Sequence, residues 1–378
     1  MDATFTKPQH LRPAVWILGA CNIGALIAAT NLVIWLNPED RISIKRGSAL
    51  TALGFVYFMS MFELLNVCAL FTGAGARFRR KYHLSAGDVL DITNKLVSAV
   101  QAALCVVTGA VVCAWSCTRD FLRSTHYMSE AYAWFGAAYF FYDIWSMYMV
   151  HVQMITNPKK DKTEKNDKPE KTEMVEKVEK QMCKNGEGLL SSGDGQPARV
   201  PTRPTFAQYC LHEPVILMHH LFIGGFGFLV IVYFRGALGD CTFGAVYLME
   251  LSTPFVCARG ILSRLRLKAS RAYVANGLLM LATFFVCRVA SLPYVCLVYS
   301  RALGLPYLQA IKSLPTGCKI SICILLLPQL YWFYLMSAGA LKMFLGSNKS
   351  ANKSANMSSS MSANKLSAGD AVDADKRS

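Results

Sequence analysis

Charged side chains are scarce in this sequence. Only 17% of its 378 residues are Asp, Glu, Lys or Arg, against about 25% in soluble globular chains. Those present are clustered, and long stretches run almost without them. With 53% hydrophobic residues, a soluble multidomain protein is excluded. Acidic residues are scarcer than basic ones, 24 against 39, for a formal charge of +15. In a soluble chain that surplus would suggest nucleic acid. Here it reports basic loops facing the cytoplasm and anionic headgroups, and no nucleic-acid partner is expected.

Other absences narrow the chemistry. No nucleophile elbow, P-loop or dinucleotide fingerprint occurs. The Gly224-Gly225-x-Gly227 cluster follows no strand and reads as a close helix contact. Cys113 and Cys117 lack a second pair or histidines at zinc-ligand spacing, and no metal site is expected. The 13 cysteines are scattered, most of them inside apolar runs, as at Cys105, Cys113, Cys257, Cys287 and Cys323. They read as small apolar residues, and a disulfide framework is not expected.

What the sequence has in abundance is long apolar runs. A hydrocarbon core about 30 Å thick needs roughly 20 apolar residues as a helix. Eight runs qualify, at 14–36, 49–72, 93–116, 131–155, 214–234, 241–262, 273–299 and 318–345. The expected fold is all-α, a polytopic transmembrane helical bundle of about eight spans. The first run reads as a retained anchor within an N-terminal extension, 1–48. Residues 49–345 read as the main membrane domain. It is interrupted at 157–204 by a Lys- and Glu-dense loop expected to be disordered. The Ser-Ala-Asn-rich tail, 346–378, is expected to be unfolded as well.

Lys and Arg set the orientation. The side holding the termini, Arg77 to Lys81, the 156–213 loop and Arg264 to Arg271 carries roughly 26 of them, against about 8 opposite. Both termini are therefore expected in the cytoplasm, leaving the glycosylation triplets at Asn348, Asn352 and Asn356 unused.

Ionisable groups within a span cost roughly 2.5–3.5 kcal/mol each and mark function by default. Asp143, Glu250 and Arg288 fall near the middle of three spans. Arg288 is expected to pair with Asp143 or Glu250, leaving one carboxylate without an obvious partner. The fifth span opens His212-Glu213-Pro214 and reaches His219-His220. On one continuous helix Glu213 would stand two turns above His220, and His212 above His219. A neutral imidazole is the usual general base toward an amine or hydroxyl. Pro254 clashes with the carbonyl four residues earlier, which should leave the Glu250 carbonyl free at a kink beside Ser252 and Thr253. Pro328-Gln329-Leu330-Tyr331-Trp332-Phe333-Tyr334 reads as an interfacial aromatic belt.

Together these segments resemble a known family. Tyr139-Phe140-Phe141-Tyr142-Asp143, the His219-His220 pair, Glu250-x-Ser252-Thr253-Pro254-Phe255-Val256-Cys257 and the run from Pro328 to Phe333 are similar to TLC-domain membrane proteins. That superfamily holds ceramide synthases and translocon-associated membrane proteins. Leu96-Val97-Ser98-Ala99-Val100-Gln101-Ala102, Cys287-Arg288-Val289 and Pro293-Tyr294 add to the match. Within the superfamily the combination resembles the TLC domain-containing protein 3 group, associated with ceramide synthesis.

The resemblance implies acyl-CoA-dependent N-acylation of a sphingoid base at an endoplasmic reticulum or Golgi membrane. His219 and His220 match the paired histidines of the ceramide synthases. Those enzymes follow the pair with a His-Asp and a further Asp, where this sequence has Met249-Glu250 and Ser252-Thr253. On this reading His219, His220, Glu250 and Asp143 are catalytic, while Tyr142, Arg288, Ser252 and Thr253 bind substrate. Arg79, Arg80, Lys81, Arg264 and Arg266 would hold the phosphates of acyl-CoA, a co-substrate, with no tightly bound cofactor. Membrane lipids are the expected partners, and other ceramide synthases or a second copy are further ones. A non-catalytic regulator or binder of membrane lipids, and a transporter, are the competing classes.

Overall fold

The computed structural model describes residues 11–156 and 203–341. The 157–202 part of the charged loop, the first ten residues and the tail with its glycosylation triplets lie outside the described residues. Within them the chain is helical, with no strand. We number the helices α1 (Leu11–Val33), α2 (Ile44–Phe71), α3 (Gly73–Tyr82), α4 (Ala86–Ser116), α5 (Tyr127–Thr156) and α6 (Phe206–His212). Then follow α7 (Pro214–Phe234), α8 (Asp240–Arg264), α9 (Arg271–Leu303), α10 (Tyr307–Ser313) and α11 (Thr316–Leu341).

Seven of these helices are long and apolar enough to cross a membrane. The eighth expected span, α5, has 30 residues, but Glu130 and Asp143 lower its hydropathy. It is covered by α2 and α4, and a span shielded by protein tolerates polar groups that lipid would not. The expected bundle is present, with boundaries within about five residues except that α4 begins at Ala86, seven residues before the expected 93.

Helix α4 is the central post. It packs on α2, α5 and both halves of α8, while α1 leans on α2. An aromatic seam joins α2 to α5. Phe58, 0% exposed, and Phe62 meet Phe135, Tyr139 and Tyr142 with ring centroids 5.4–6.2 Å apart. A polar seam joins α4 to α5. Tyr142 and Ser146 both donate to Asn94 Oδ1, at 3.1 and 2.7 Å, and Tyr139 donates to Ser98 at 2.9 Å. Asn94, Ser98, Gln101, Cys105 and Thr108 recur at alternating spacings of four and three on α4, and all five are buried. Such spacing keeps them on one stripe, and hydrogen bonds between helices add to the packing that drives association in lipid.

At the end of the bundle away from the basic loops, one ionic knot ties three connections. Asp240, 0% exposed, pairs with Arg235 and accepts from the His126 backbone N–H and Ser129 Oγ, both at 2.6 Å. Glu130 pairs with Arg41 at 2.6 Å and accepts from the Ile42 N–H. Arg235 also donates to Ser129 at 2.7 Å.

Beside the knot Cys117 and Cys241 form a disulfide. This overturns the expectation of no disulfide. Both cysteines sit at span ends, and the packing of α4 on α8 joins positions 124 residues apart. A thiol-reactive polymer is expected to modify the exposed Cys117 only after reduction. In a Cys241→Ser variant, which lacks the buried partner, Cys117 should label at once, and labelling of Cys117 in unreduced native protein would refute the bond.

Candidate functional site

The span that carries the paired histidines does not begin where a continuous helix would place it. Helix α6 ends at His212, and Glu213 takes φ −120° and ψ 53° before α7 starts at Pro214. That break cancels the two-turn alignment expected of Glu213 over His220. Glu213 turns aside to His212, its carboxylate 3.1 Å from Nδ1. The carboxylate that meets His220 comes from α5 instead.

Asp143 Oδ2 lies 2.7 Å from His220 Nε2. The opposite nitrogen, Nδ1, is 2.8 Å from the Ile216 carbonyl oxygen. A carbonyl only accepts, so Nδ1 carries a hydrogen and a second proton is shared between Nε2 and the carboxyl group. Both ring nitrogens of His220 are therefore engaged.

Glycine sets this contact. Gly224, one turn beyond His220, is buried against the ring of Phe140 on α5, where a Cβ would come within 2.6 Å of Phe140. Without that side chain α7 comes close enough for His220 to reach Asp143, as the glycine cluster suggested. The stretch Phe222–Gly227 is π-helical, a local widening common at functional sites.

His219 points elsewhere. Its ring is edge-on to Trp332 of α11, 5.7 Å between centroids, and 5.8 Å from the His220 ring. It makes no hydrogen bond among the described residues, so both nitrogens are free. Trp332 thus belongs to the interior contacts of the bundle. The Pro328–Tyr334 run occupies the middle and second half of α11, with Tyr331 and Tyr334 on its exposed side.

Glu250 and Arg288 form the second polar group. Arg288 Nη2 reaches Glu250 Oε1 at 3.1 Å and donates to Thr253 Oγ1 at 2.8 Å. Its Nε donates to Ser252 Oγ at 2.8 Å, and Thr253 donates to Glu250 Oε2 at 2.5 Å. The expected choice of partner for Arg288 is thereby resolved as Glu250. Both charges sit on irregular backbone, Glu250 in the 3-10 turn Met249–Ser252 and Arg288 in the π-helical stretch Phe285–Ala290. The Glu250 carbonyl, expected to be free at the kink, accepts from the Thr253 N–H, because the 3-10 turn shortens the hydrogen-bond span to three residues.

The remaining candidates divide. Tyr142 is 1% exposed with its hydroxyl given to Asn94. Arg79 donates to the carbonyls of Ala69 and Leu70, closing the end of α2. Arg264 pairs with Asp91 at 2.7 Å. Lys81 lies over the Tyr82 ring. Arg266 has a left-handed backbone, φ 60°. These basic residues share the side of the bundle opposite the ionic knot, the side on which α7 begins one to two turns before His219 and His220. An open apolar groove of about 420 Å³ runs along α5, lined by Phe141, Ile144, Trp145, Tyr148 and Phe206.

Comparison with known proteins follows the geometry. The family model described as the TLC domain (TRAM, LAG1 and CLN8) matches residues 91–338. Human TLC domain-containing protein 4 is 36% identical over 98 residues, which is 25% of this chain and 37% of that protein. The match thus spans little more than a third of this relative. It carries the number 4, where the motifs pointed to group 3. No solved structure matches the chain. The family model takes in α4 entirely but for its first turn, α5, the paired histidines, Glu250, Arg288 and Trp332, and on that match the protein belongs to the TLC-domain family.

Proposed function

We propose that this protein transfers an acyl group from acyl-CoA to the amine of a sphingoid base, in an endoplasmic reticulum or Golgi membrane. The observation that carries the reading is His219, an imidazole with both nitrogens free, held inside the bundle beside His220, whose two ring nitrogens are both engaged. The base nitrogen attacks the thioester carbonyl, the C–N bond forms and the C–S bond breaks. His219 takes the amine proton and returns it to the departing thiolate, so that amide and free CoA leave. His220, held by Asp143 Oδ2, fixes the neighbouring turn and does not itself reach substrate. The groove along α5 suits an acyl chain, and Arg80 and Lys81 suit the CoA phosphates.

A disulfide at the end opposite the basic loops supports an orientation with both termini in the cytoplasm, because such bonds persist on the oxidising side of a membrane.

A second reading has one observation in its favour. Glu250 occupies the neighbourhood in which ceramide synthases carry their His-Asp, and Arg288, Ser252 and Thr253 close around it. A binder of membrane lipids that regulates ceramide synthases needs no reactive group there. Purified protein given sphinganine and a panel of acyl-CoAs separates the two. Amide from the native chain, and about 10²–10⁴-fold less from an equally folded His219→Ala variant, is the expected result. Absence of product from both, with lipid still co-purifying, would replace acyl transfer by regulation.

A further inference from the structure

Two buried acceptor atoms in this part of the bundle have no partner. Asp143 gives Oδ2 to His220, while its Oδ1 meets no donor. Gln329 is 3% exposed, and its Oε1 is equally without a partner. Gln329 sits near the middle of α11, one turn from Trp332 on the same face. Trp332 is the residue whose ring meets His219. The Glu250–Arg288 group differs, since both carboxylate oxygens there are engaged. A buried polar oxygen left unpaired is costly, and retaining two of them, one beside His220 on α5 and one on α11 a turn from the Trp332 that meets His219, points to a ligand.

We propose that Gln329 and Asp143 bind the polar head of a long-chain amino alcohol beside His219. This rests on the acyl-transfer reading and names the headgroup contacts of that same site. The head offers three N–H donors as the ammonium that arrives and two once a proton has left to water ahead of attack, and a neighbouring hydroxyl adds another donor. Two acceptors with nothing to accept match that head. A phosphate or carboxylate brings acceptors only and would oppose both oxygens, so the CoA end is not the occupant. Gln329 reads the hydroxyl, and Asp143 faces the amine. An ethanolamine phospholipid also carries an amine, but its oxygen is esterified to phosphate and cannot donate.

Equilibrium binding of labelled sphinganine to the full chain in phosphatidylcholine nanodiscs tests this, with octadecylamine and phosphatidylethanolamine as competitors. Gln329→Leu is expected to weaken sphinganine binding about tenfold or more, the scale of one lost buried hydrogen bond. It should leave octadecylamine, which lacks the hydroxyl, nearly unaffected. Gln329→Met, close in shape, should behave like leucine and serves as the test where leucine does not fold. Unchanged sphinganine affinity in a folded variant, or equal losses for both amines, overturns the pocket. Stronger competition by phosphatidylethanolamine than by unlabelled sphinganine overturns the free-base assignment. Turnover read in parallel separates the two readings. A native chain that binds sphinganine through Gln329 and forms no amide keeps the pocket and removes acyl transfer. A native chain that forms amide, with the leucine variant equal to it in KM, keeps acyl transfer and removes the pocket.

Discussion

Alanine at position 219 is expected to slow amide formation about 10²–10⁴-fold, the usual contribution of a general base, and to leave the folded protein intact. His219 makes no hydrogen bond among the described residues, and its ring contacts are edge-on ones to Trp332 and His220, so little of the bundle depends on it. His220→Ala has the opposite profile. It leaves Asp143, 5% exposed, without its partner, and removing one side of a buried pair typically costs about 3–5 kcal/mol. Thermal unfolding in detergent, measured beside turnover, distinguishes the two. A His219→Ala protein as active as the native one, or two variants alike in both measurements, would remove His219 from the chemistry.

The second large effect concerns stability alone. Arg235→Ala is expected to lower unfolding free energy by about 3–5 kcal/mol, because it removes the cation from a buried group. Asp240 is 0% and Glu130 2% exposed, and Arg235 is the buried cation facing both. Arg41 pairs with Glu130 from a half-exposed position and cannot replace the bond to Asp240. An Arg235→Met/Asp240→Leu double variant should recover much of the loss, since the Asp240 charge leaves with its partner and Glu130 keeps its bond to Arg41. A single variant that unfolds at the native temperature would mean that the knot is solvated and adds little.

Much of this was legible from the chain alone, and what was hidden has a common cause. Apolar runs marked the helices within about five residues, the start of α4 apart, because the membrane thickness sets their length. Asp143, Glu250, Arg288 and the two histidines stood out because lipid penalises them. Their pairing was not readable. Asp143 and His220 are 77 residues apart, and their meeting depends on how α5 and α7 are turned, which hydropathy does not encode. Glu213 looked the better partner for His220 only while the helix was taken as unbroken at Pro214. Gln329 was concealed by its aromatic neighbours, although an amide at the middle of a span is itself a signal. The polar stripe from Asn94 to Thr108 was present as a spacing of fours and threes, and it was masked by the apolar residues around it.

The Cys117–Cys241 bond spans 124 residues, and the whole charged segment from 157 to 202 lies inside that loop. A protease site engineered there would give two polypeptides, one carrying α1 to α5 and the other α6 to α11, that migrate as one species without reductant and as two with it. The molecule could thus be handled as a covalently stapled heterodimer, each half labelled or mutated on its own. Asp143 and His220, one from each half, would then report whether the two pieces dock as they do in the uncut chain.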